Sequence, residues 1–270
     1  MATRDTAWPT GTPCWVDLVV DDLEMATQFY RELFDWDYRS AAPDDSYLMA
    51  IQDGRPVAGI GARPDGLDMP SVWTTYLATD DADGTIRLVE DAGGRAMLAP
   101  FDVPGAGRMA VAFDPTGASF GLWQAGDHLG VELVDTSGAV TWNECMTRDY
   151  QRAQDFYATV FGYTYDERGD GQTFSYALMR LDDHPIGAIG ELGVNIPRQV
   201  FGHWMTYFTA LDPDATAGRA VELGAVQHLG PVEVPQGRMA VLEGPHGEVF
   251  AVITPVRASS DAASTSLWDY

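Results

Sequence analysis

The chain of 270 residues contains no lysine, so all 16 of its basic residues are arginines, against 40 aspartates and glutamates. The resulting net charge of −24 would repel the phosphates of nucleic acids and the anionic surfaces of membranes. We therefore expect neither a nucleic-acid partner nor a membrane partner. Abundant alanine, glycine, aspartate and arginine without lysine indicates a high-GC genome, and we expect an actinobacterial source.

Cysteine is also scarce. The two cysteines, Cys14 and Cys145, lack the paired spacing of common metal sites. No apolar run is long enough for a membrane helix, and residues 1–13, which we expect to form a loosely docked arm, do not resemble a secretory signal. These absences favour a reduced, cytoplasmic protein. No Ser-His-Asp or Cys-His arrangement follows from the spacing of the five histidines.

The most informative feature present is an internal repeat. Residues 15–34 return at 142–161, and the two copies with their flanks share seven identities: Trp15/Trp142, Asp22/Asp149, Ala26/Ala153, Phe29/Phe156, Tyr30/Tyr157, Phe34/Phe161 and Tyr38/Tyr165. A period this long indicates a duplicated domain and not a solenoid. We predict two domains, 12–125 and 139–256, followed by a mobile tail, 257–270.

Each half repeats one order of elements twice. Residues 15–20 alternate as in a strand, and Asp21 or Asp22 can then cap a helix whose apolar residues recur at helical spacing. Three short strand patterns follow, and the same order begins again at residue 73 and twice more in the second half. This pattern predicts an α+β fold made of four βαβββ units.

Such units, with Asp22, Phe29, Tyr30 and Phe34 recurring in the second half and turns at residues 114–117 and 244–247, resemble the vicinal oxygen chelate superfamily. That family includes glyoxalase I, extradiol dioxygenases, fosfomycin-resistance enzymes and bleomycin-resistance proteins. The resemblance extends from residue 12 to 256. It implies two tandem glyoxalase-like domains whose curved mixed sheets surround cavities that bind small molecules.

The family's metal ligands are not found at the expected positions. The resemblance places a histidine where the chain has Trp15 and Trp142, and a glutamate where it has Gly121 and Ala251. The third position, also a histidine, falls near Thr74 and Met205. A divalent ion needs several converging oxygen or imidazole donors. We therefore expect no cofactor, with a divalent metal as the alternative.

A displaced metal site is that alternative, formed by Glu144, Glu191 and His203. Asp17 and Glu144 lie two residues after the missing histidines and so face the same side of their strands. The interpretation we favour makes them cavity-wall carboxylates paired with Arg108 and Arg238, because a buried carboxylate more often has such a partner than a metal.

Aromatic side chains replace the missing ligands. Tryptophan at both histidine positions points to cavities adapted to flat apolar ligands. The candidate ligand-binding residues are Trp15, Trp73, Tyr76, Arg108, Trp123, Trp142, His203, Trp204, Tyr207 and Arg238.

Three functions remain open from the sequence. The first is a metal-independent protein, monomeric or homodimeric, that sequesters or tailors a hydrophobic or aromatic natural product, as antibiotic-resistance proteins do. The second is a lyase, isomerase or dioxygenase that uses the displaced metal site. The third is an acid–base enzyme with Asp17 or Glu144 as general base, its pKa raised by burial. Whether the protein is an enzyme is left undecided, since fold resemblance does not choose among these functions.

Overall fold

The computed structural model describes residues 2–66, 69–169 and 175–255, so the predicted tail 257–270 lies outside the described residues. The described strands are β1 (Ala2–Thr3), β2 (Pro13–Val20), β3 (Asp37–Ser40), β4 (Tyr47–Gln52), β5 (Arg55–Ala62), β6 (Trp73–Ala78), β7 (Arg95–Val103), β8 (Gly107–Phe113), β9 (Ser119–Ala125), β10 (Leu133–Val134), β11 (Val140–Thr147), β12 (Thr164–Glu167), β13 (Tyr176–Leu181), β14 (His184–Glu191), β15 (His203–Thr209), β16 (Val226–Val234), β17 (Gly237–Glu243) and β18 (Val249–Pro255). The described helices are α1 (Leu23–Phe34), α2 (Ala82–Asp91), α3 (Tyr150–Phe161) and α4 (Pro213–Glu222).

Each half of the chain builds one eight-stranded mixed sheet. The strand order is β3-β4-β5-β2-β6-β9-β8-β7 in the first domain and β12-β13-β14-β11-β15-β18-β17-β16 in the second. The central strands β2 and β6 are antiparallel to each other, and each has a parallel partner on its other side, β5 and β9. The prediction of an α+β fold with two tandem domains is confirmed.

Strand alternation and helix capping explain these elements locally. On β2, Val16, Leu18 and Val20 pack in a core with α1, whereas Trp15 belongs to a separate cluster on the other face of the sheet. The Asp22 carboxylate begins α1 by accepting the Met25 backbone N–H at 2.9 Å. None of the described helices is long and apolar enough to cross a membrane.

The two domains share their cores. One core joins α1 and the facing side of β2 to α4 and to Phe208 and Phe250 of the second sheet. The other joins α2 and Phe120 of the first domain to α3 and Cys145 of the second. The helix-bearing faces of the two sheets therefore pack together, and each sheet presents its opposite face away from the partner domain. We call these opposite faces the first and second outer faces.

Two matching hydrogen-bond chains cross between the domains. The Tyr30 hydroxyl donates to Glu248 Oε1 at 2.8 Å and accepts from Trp73 Nε1 at 3.0 Å. The Tyr157 hydroxyl likewise donates to Asp114 Oδ2 at 3.1 Å and accepts from Trp204 Nε1 at 2.9 Å. The two tyrosines occupy equivalent positions of the repeat, and each forms a hydrogen bond from one domain to the other.

The amino-terminal segment packs against the rest of the chain through strand pairing and a buried side chain. β1 pairs with β10 of the interdomain connection, and the Trp8 side chain is 5% exposed. Trp8 Nε1 also donates to the Val131 carbonyl at 3.2 Å. The prediction of a loosely docked arm is wrong because burial of Trp8 fixes the segment on residues 126–134, which we call the strap.

Candidate functional site

The first outer face carries a buried carboxylate surrounded by aromatic hydroxyl and indole groups. Alternation along β2 places Trp15 and Asp17 on this face, and Tyr76 of β6 lies opposite Trp15 in the register. Asp17 Oδ2 accepts hydrogen bonds from the Tyr76 hydroxyl at 3.0 Å and the Tyr47 hydroxyl at 3.3 Å. Trp15 Nε1 in turn donates to the Tyr47 hydroxyl at 3.0 Å.

The second outer face repeats this arrangement. Glu144 stands where the first domain has Asp17, and it accepts through Oε1 from Trp142 Nε1 at 3.1 Å and from the Tyr176 hydroxyl at 2.5 Å. Its Oε2 accepts from the Tyr207 hydroxyl at 2.7 Å. Both faces therefore combine one carboxylate, one tryptophan and two tyrosines.

Burial makes these carboxylates weak acids. Loss of solvation raises the pKa of Asp17 to about 7, although the hydrogen bonds from Tyr76 and Tyr47 work against the shift. The same cause raises the pKa of Glu144, opposed by its three donors. Asp17 is therefore able to exchange a proton near neutral pH.

The strap covers part of the first outer face. The His128 ring meets the Trp15 ring edge-on with centroids 4.3 Å apart, and it also contacts Trp123 at 5.3 Å. Burial lowers the pKa of His128 to about 4, so the imidazole is neutral at pH 7. Beside the strap lies a cavity of about 130 Å³ bordered by Trp8, Cys14, Trp123 and Leu129. A cavity of this size admits a small ring and nothing larger without movement of the strap.

The structure separates the predicted ligand-binding residues into two groups. Register and packing place Trp15, Tyr76, Trp123, Trp142, His203 and Tyr207 on the outer faces. Trp73 and Trp204 instead lie in the interdomain cores, where they bind the tyrosines of α1 and α3. Their prediction as cavity-lining residues is wrong, since both strands turn these indoles toward the helices.

The predicted arginine partners are also elsewhere. Arg108 forms ion pairs with Asp83 of α2 at 2.8 Å and with Asp102 at 2.7 Å. Arg238 pairs with Asp214 of α4 at 2.5 Å and with Glu233 at 3.1 Å. Tyrosine hydroxyls, and not these guanidinium groups, hydrogen-bond to Asp17 and Glu144 and offset part of the cost of burying them, so the predicted pairing is wrong.

The displaced metal set is not assembled. Glu144 accepts hydrogen bonds from Trp142 and from two tyrosines. Glu191 Oε2 accepts from the Ser175 hydroxyl at 2.7 Å, and His203 Nδ1 lies 2.9 Å from the Phe201 carbonyl. In the register Glu191 pairs with Thr147, out of phase with Glu144, which turns its side chain to the other face of the sheet. Across the described residues, no group of three His, Cys, Asp or Glu side chains could hold a metal.

The residues at the family's own metal positions do not fit a divalent ion either. Gly121 of β9 lies opposite Tyr76, and a Cβ built on Gly121 would stand 2.0 Å from a carbon of the Tyr76 ring. The tyrosine ring thus fills the space that a glutamate side chain at this position would need. In the second domain Ala251 lies opposite Tyr207 in the same way.

Sequence reasoning missed Tyr47, Tyr176 and His128. Alternation could have found the two tyrosines. Ala50 on β4, and Ala177 and Met179 on β13, are core positions, so the alternate positions of these strands, which include Tyr47 and Tyr176, face the outer side of the sheet. His128 lies in the connection between domains, where no periodic pattern predicts the direction of a side chain.

Two family models match the chain. One, described as the Glyoxalase/Bleomycin resistance protein/Dioxygenase superfamily, matches residues 13–122. The other, described as a Glyoxalase-like domain, matches residues 140–253.

Curated relatives match nearly the full length. The chain is 38% identical over 252 residues to a Mycobacterium tuberculosis protein named "Putative glyoxylase CFP32", covering 91% of this chain and 95% of that protein. It is 37% identical over 264 residues to the "Anthracycline biosynthesis protein DnrV" of Streptomyces peucetius, covering 92% of this chain and 94% of that protein.

Among solved structures, the Mn(II)-bound glyoxalase from Novosphingobium aromaticivorans superposes with a TM-score of 0.64 at 18% identity, covering 91% of this chain and 83% of that one. At that identity the likeness concerns the fold alone. With two family models in tandem and relatives above 30% identity over nine-tenths of its length, the chain belongs to the Glyoxalase/Bleomycin resistance protein/Dioxygenase superfamily, known as the vicinal oxygen chelate superfamily.

Proposed function

We propose that this protein binds a flat, aromatic small molecule on an outer face of its sheets, without a divalent metal, and that it sequesters or tailors a natural product. The observation that carries the proposal is the Trp–Tyr–carboxylate cluster around Asp17, which stands where metal-dependent relatives would place their ligands. Such a cluster offers planar apolar surface together with a few oriented polar atoms.

The relatives support the class of ligand. DnrV of Streptomyces peucetius and DauV of Streptomyces sp. strain C5 are both named as anthracycline biosynthesis proteins. Anthracyclines are polycyclic aromatic compounds with ketone and phenol oxygens, which would match an indole surface bordered by hydrogen-bonding groups. A ligand of that size would require the strap to move, because the cavity beside the strap measures only about 130 Å³ and is not lined by Asp17 or Trp15.

Acid–base chemistry on the bound compound is the second candidate, and one observation favours it. A carboxyl with a pKa of about 7 can both accept and return a proton near neutral pH. Asp17 would then abstract a proton from an acidic C–H or O–H group of the ligand. Glu144 is less suited to this role since both of its carboxylate oxygens already accept hydrogen bonds.

Metal content tests the first half of the proposal. We expect protein purified without chelators to contain far less than one divalent ion per chain, because the family's ligand positions hold Trp, Gly, Ala, Thr and Met. Elemental analysis by mass spectrometry gives the answer directly. One ion per chain that disappears in Glu144→Ala would contradict the proposal and favour the displaced metal site.

Ligand binding tests the second half. We expect anthraquinones to quench tryptophan fluorescence with saturation, and the quench to weaken when Trp15 or Trp142, whichever lines the binding face, is replaced by Phe. Trp36→Phe, deep in the interdomain core, is the matched control and should leave the ligand dependence unchanged. Absence of saturable quenching by any member of an aromatic natural-product panel would refute the binding function.

A further inference from the structure

The two outer faces differ at their carboxylates. Glu144 is one methylene longer than Asp17 and uses both oxygens, accepting from Trp142 and Tyr176 through Oε1 and from Tyr207 through Oε2. Asp17 receives both of its tyrosine hydrogen bonds on Oδ2. Its Oδ1 is buried and has no hydrogen-bond partner among the described residues, and the residue as a whole is only 6% exposed.

A second unpaired atom lies on the same face. Nε2 of His128 is also buried, and within the part of the chain that the structure describes it has no hydrogen-bond partner. Its ring contacts Trp15, which donates to Tyr47, which donates to Asp17. The two unpaired atoms therefore belong to one contiguous cluster, Asp17–Tyr47–Trp15–His128.

Such a pair requires an explanation, because buried polar atoms in folded proteins nearly always have partners. The equivalent cluster of the second domain shows that this fold can satisfy both carboxylate oxygens with its own donors. The free oxygen of Asp17 is therefore a property of the first domain and not a consequence of the shared architecture.

We propose that the first outer face is the ligand site, where Asp17 Oδ1 and His128 Nε2 recognise an aromatic compound that carries both a carbonyl and a hydroxyl group, whereas Glu144 has a structural role in the second domain. This inference rests on the proposed binding function and specifies its site and ligand chemistry.

The protonation of the two groups suits such a ligand. A protonated Asp17 donates its O–H to a carbonyl oxygen, and its raised pKa keeps that form present near neutral pH. His128 is neutral, so Nε2 either accepts from a hydroxyl group or donates to its oxygen, depending on the tautomer. The indoles of Trp15 and Trp123, which both contact the His128 ring, supply the flat surface.

A ligand can enter this face only if the strap moves outward. The strap is joined to the sheet by main-chain bonds, His128 N–H to the Ala106 carbonyl at 3.0 Å and Val131 N–H to the Cys14 carbonyl at 2.8 Å. Trp123 Nε1 also donates to the His128 carbonyl at 2.9 Å, and the N–H groups of Gly126 and Glu132 each donate to a main-chain carbonyl at 2.9 Å. A shift confined to the residues around His128 breaks the bonds of His128 to Ala106 and Trp123 and keeps those of Gly126 and Glu132, so His128 stays beside the ligand.

The test is a titration of the full chain with quinizarin, which has adjacent carbonyl and hydroxyl groups, and with anthraquinone, which has carbonyls alone. We expect His128→Phe, which keeps an aromatic ring against Trp15, to weaken quinizarin binding about tenfold and to leave anthraquinone binding unchanged. Asp17→Ala should weaken both about tenfold, and Asp17→Asn should restore them, because its amide keeps a donor at the free position. His228→Phe, on β16 of the second domain, is the matched histidine control.

The outcomes separate this inference from the binding function. Loss of quinizarin binding in Glu144→Gln, with none in Asp17→Ala or His128→Phe, would place the site in the second domain and overturn the inference while the binding function stands. Equal affinities in all these variants would mean that the two free atoms hold only trapped water, and would overturn it as well. Failure of the wild-type protein to bind either compound would overturn the inference, and failure to bind any member of the aromatic natural-product panel would overturn the binding function too.

Discussion

Asp17 and Glu144 occupy equivalent positions in the two halves, and the difference of one methylene decides how many donors each carboxylate can reach. Glu144 extends far enough to meet Trp142 and two tyrosines, whereas Asp17 meets two tyrosines with a single oxygen. Neither carboxylate has a cationic partner among the residues that the structure describes. Both are therefore buried carboxyls whose neutral form is favoured by burial.

The raised pKa of Asp17 predicts a specific dependence of stability on pH. An unfolded aspartate has a pKa of about 3.9, so between about pH 4 and about pH 7 the folded state binds a proton that the unfolded state does not. The contribution of Asp17 to the free energy of unfolding is complete below about pH 4 and falls by about 1.4 kcal/mol per pH unit as the pH rises toward 7.

Asp17→Asn removes this dependence. Its free energy of unfolding, relative to wild type, should rise between about pH 5 and about pH 7 and then level off, as measured by urea denaturation. Asp65→Asn, at an exposed position, is the matched control. A constant difference between Asp17→Asn and wild type over this range would contradict the raised pKa.

Gly121 lies opposite Tyr76 in the sheet, so a substitution at Gly121 tests how tightly the Tyr76 ring is packed. Gly121→Ala would place a methyl group within 2.0 Å of the Tyr76 ring as it now stands, and we expect a cost of about 1–3 kcal/mol in unfolding free energy from overpacking. In a Tyr76→Ala background that cost should largely disappear, because the ring that the methyl meets is gone. A double-mutant cycle by urea denaturation measures the coupling, and additive effects would mean that Gly121 is required for a reason other than the ring.

At the scale of the elements, contacts join the strap and the amino-terminal segment into one unit. β1 pairs with β10, Trp8 holds the Val131 carbonyl, and the guanidinium of Arg4 lies 4.3 Å from the centre of the Trp8 ring. The His128 ring of the strap lies against Trp15 on the first outer face, and we expect opening of this unit to increase access to Trp15.

Trp8→Ala should loosen that unit. We expect faster hydrogen exchange at the amides of Arg4, Val131 and Glu132, and faster ligand association, with little change in the second sheet. Trp8→Phe keeps an aromatic ring and should show a smaller effect. Unchanged exchange in Trp8→Ala would mean that the strap is held by its main-chain bonds alone.

The whole molecule is a pair of domains with common cores, and this predicts cooperative unfolding. Residues of both domains make up each large core, and the hydrogen-bond chains through Tyr30 and Tyr157 run from one domain to the other. Neither domain keeps a complete core without its partner.

Calorimetry of Tyr30→Phe and Tyr157→Phe tests this cooperativity. Each variant leaves a buried carboxylate, Glu248 or Asp114, without its tyrosine donor, and should lose about 1–3 kcal/mol of stability within a single unfolding transition. Tyr150→Phe, whose hydroxyl meets Glu167 near the surface, should cost less. Two separate transitions would show that the domains unfold independently.

Much of the architecture could be predicted because it follows from local patterns. The duplicated Trp-to-Phe stretch, the capping aspartates Asp22 and Asp149 and the alternation on β2 predict the βαβββ order with errors of a few residues at most element ends. The limits of the two domains, 12–125 and 139–256, stay predictions.

The site was predicted less completely. The alternation of side chains along strands is enough to place Trp15 and Trp73 on opposite faces of the sheet. Extending the same alternation to β6, β8, β15 and β17 would have assigned four misplaced residues to the helix-bearing faces: Trp73, Arg108, Trp204 and Arg238.

By itself, the sequence determined the fold, the duplication and the absence of the family's metal ligands at Trp15, Trp142, Gly121 and Ala251, since each depends on residue type at a local spacing. Only the tertiary structure decided that tyrosines and not arginines surround Asp17 and Glu144, and that His128 reaches Trp15. Those contacts join residues far apart in the chain, and their geometry depends on sheet register and on a connection without periodicity. The same long-range geometry leaves Asp17 Oδ1 unpaired while it satisfies both oxygens of Glu144.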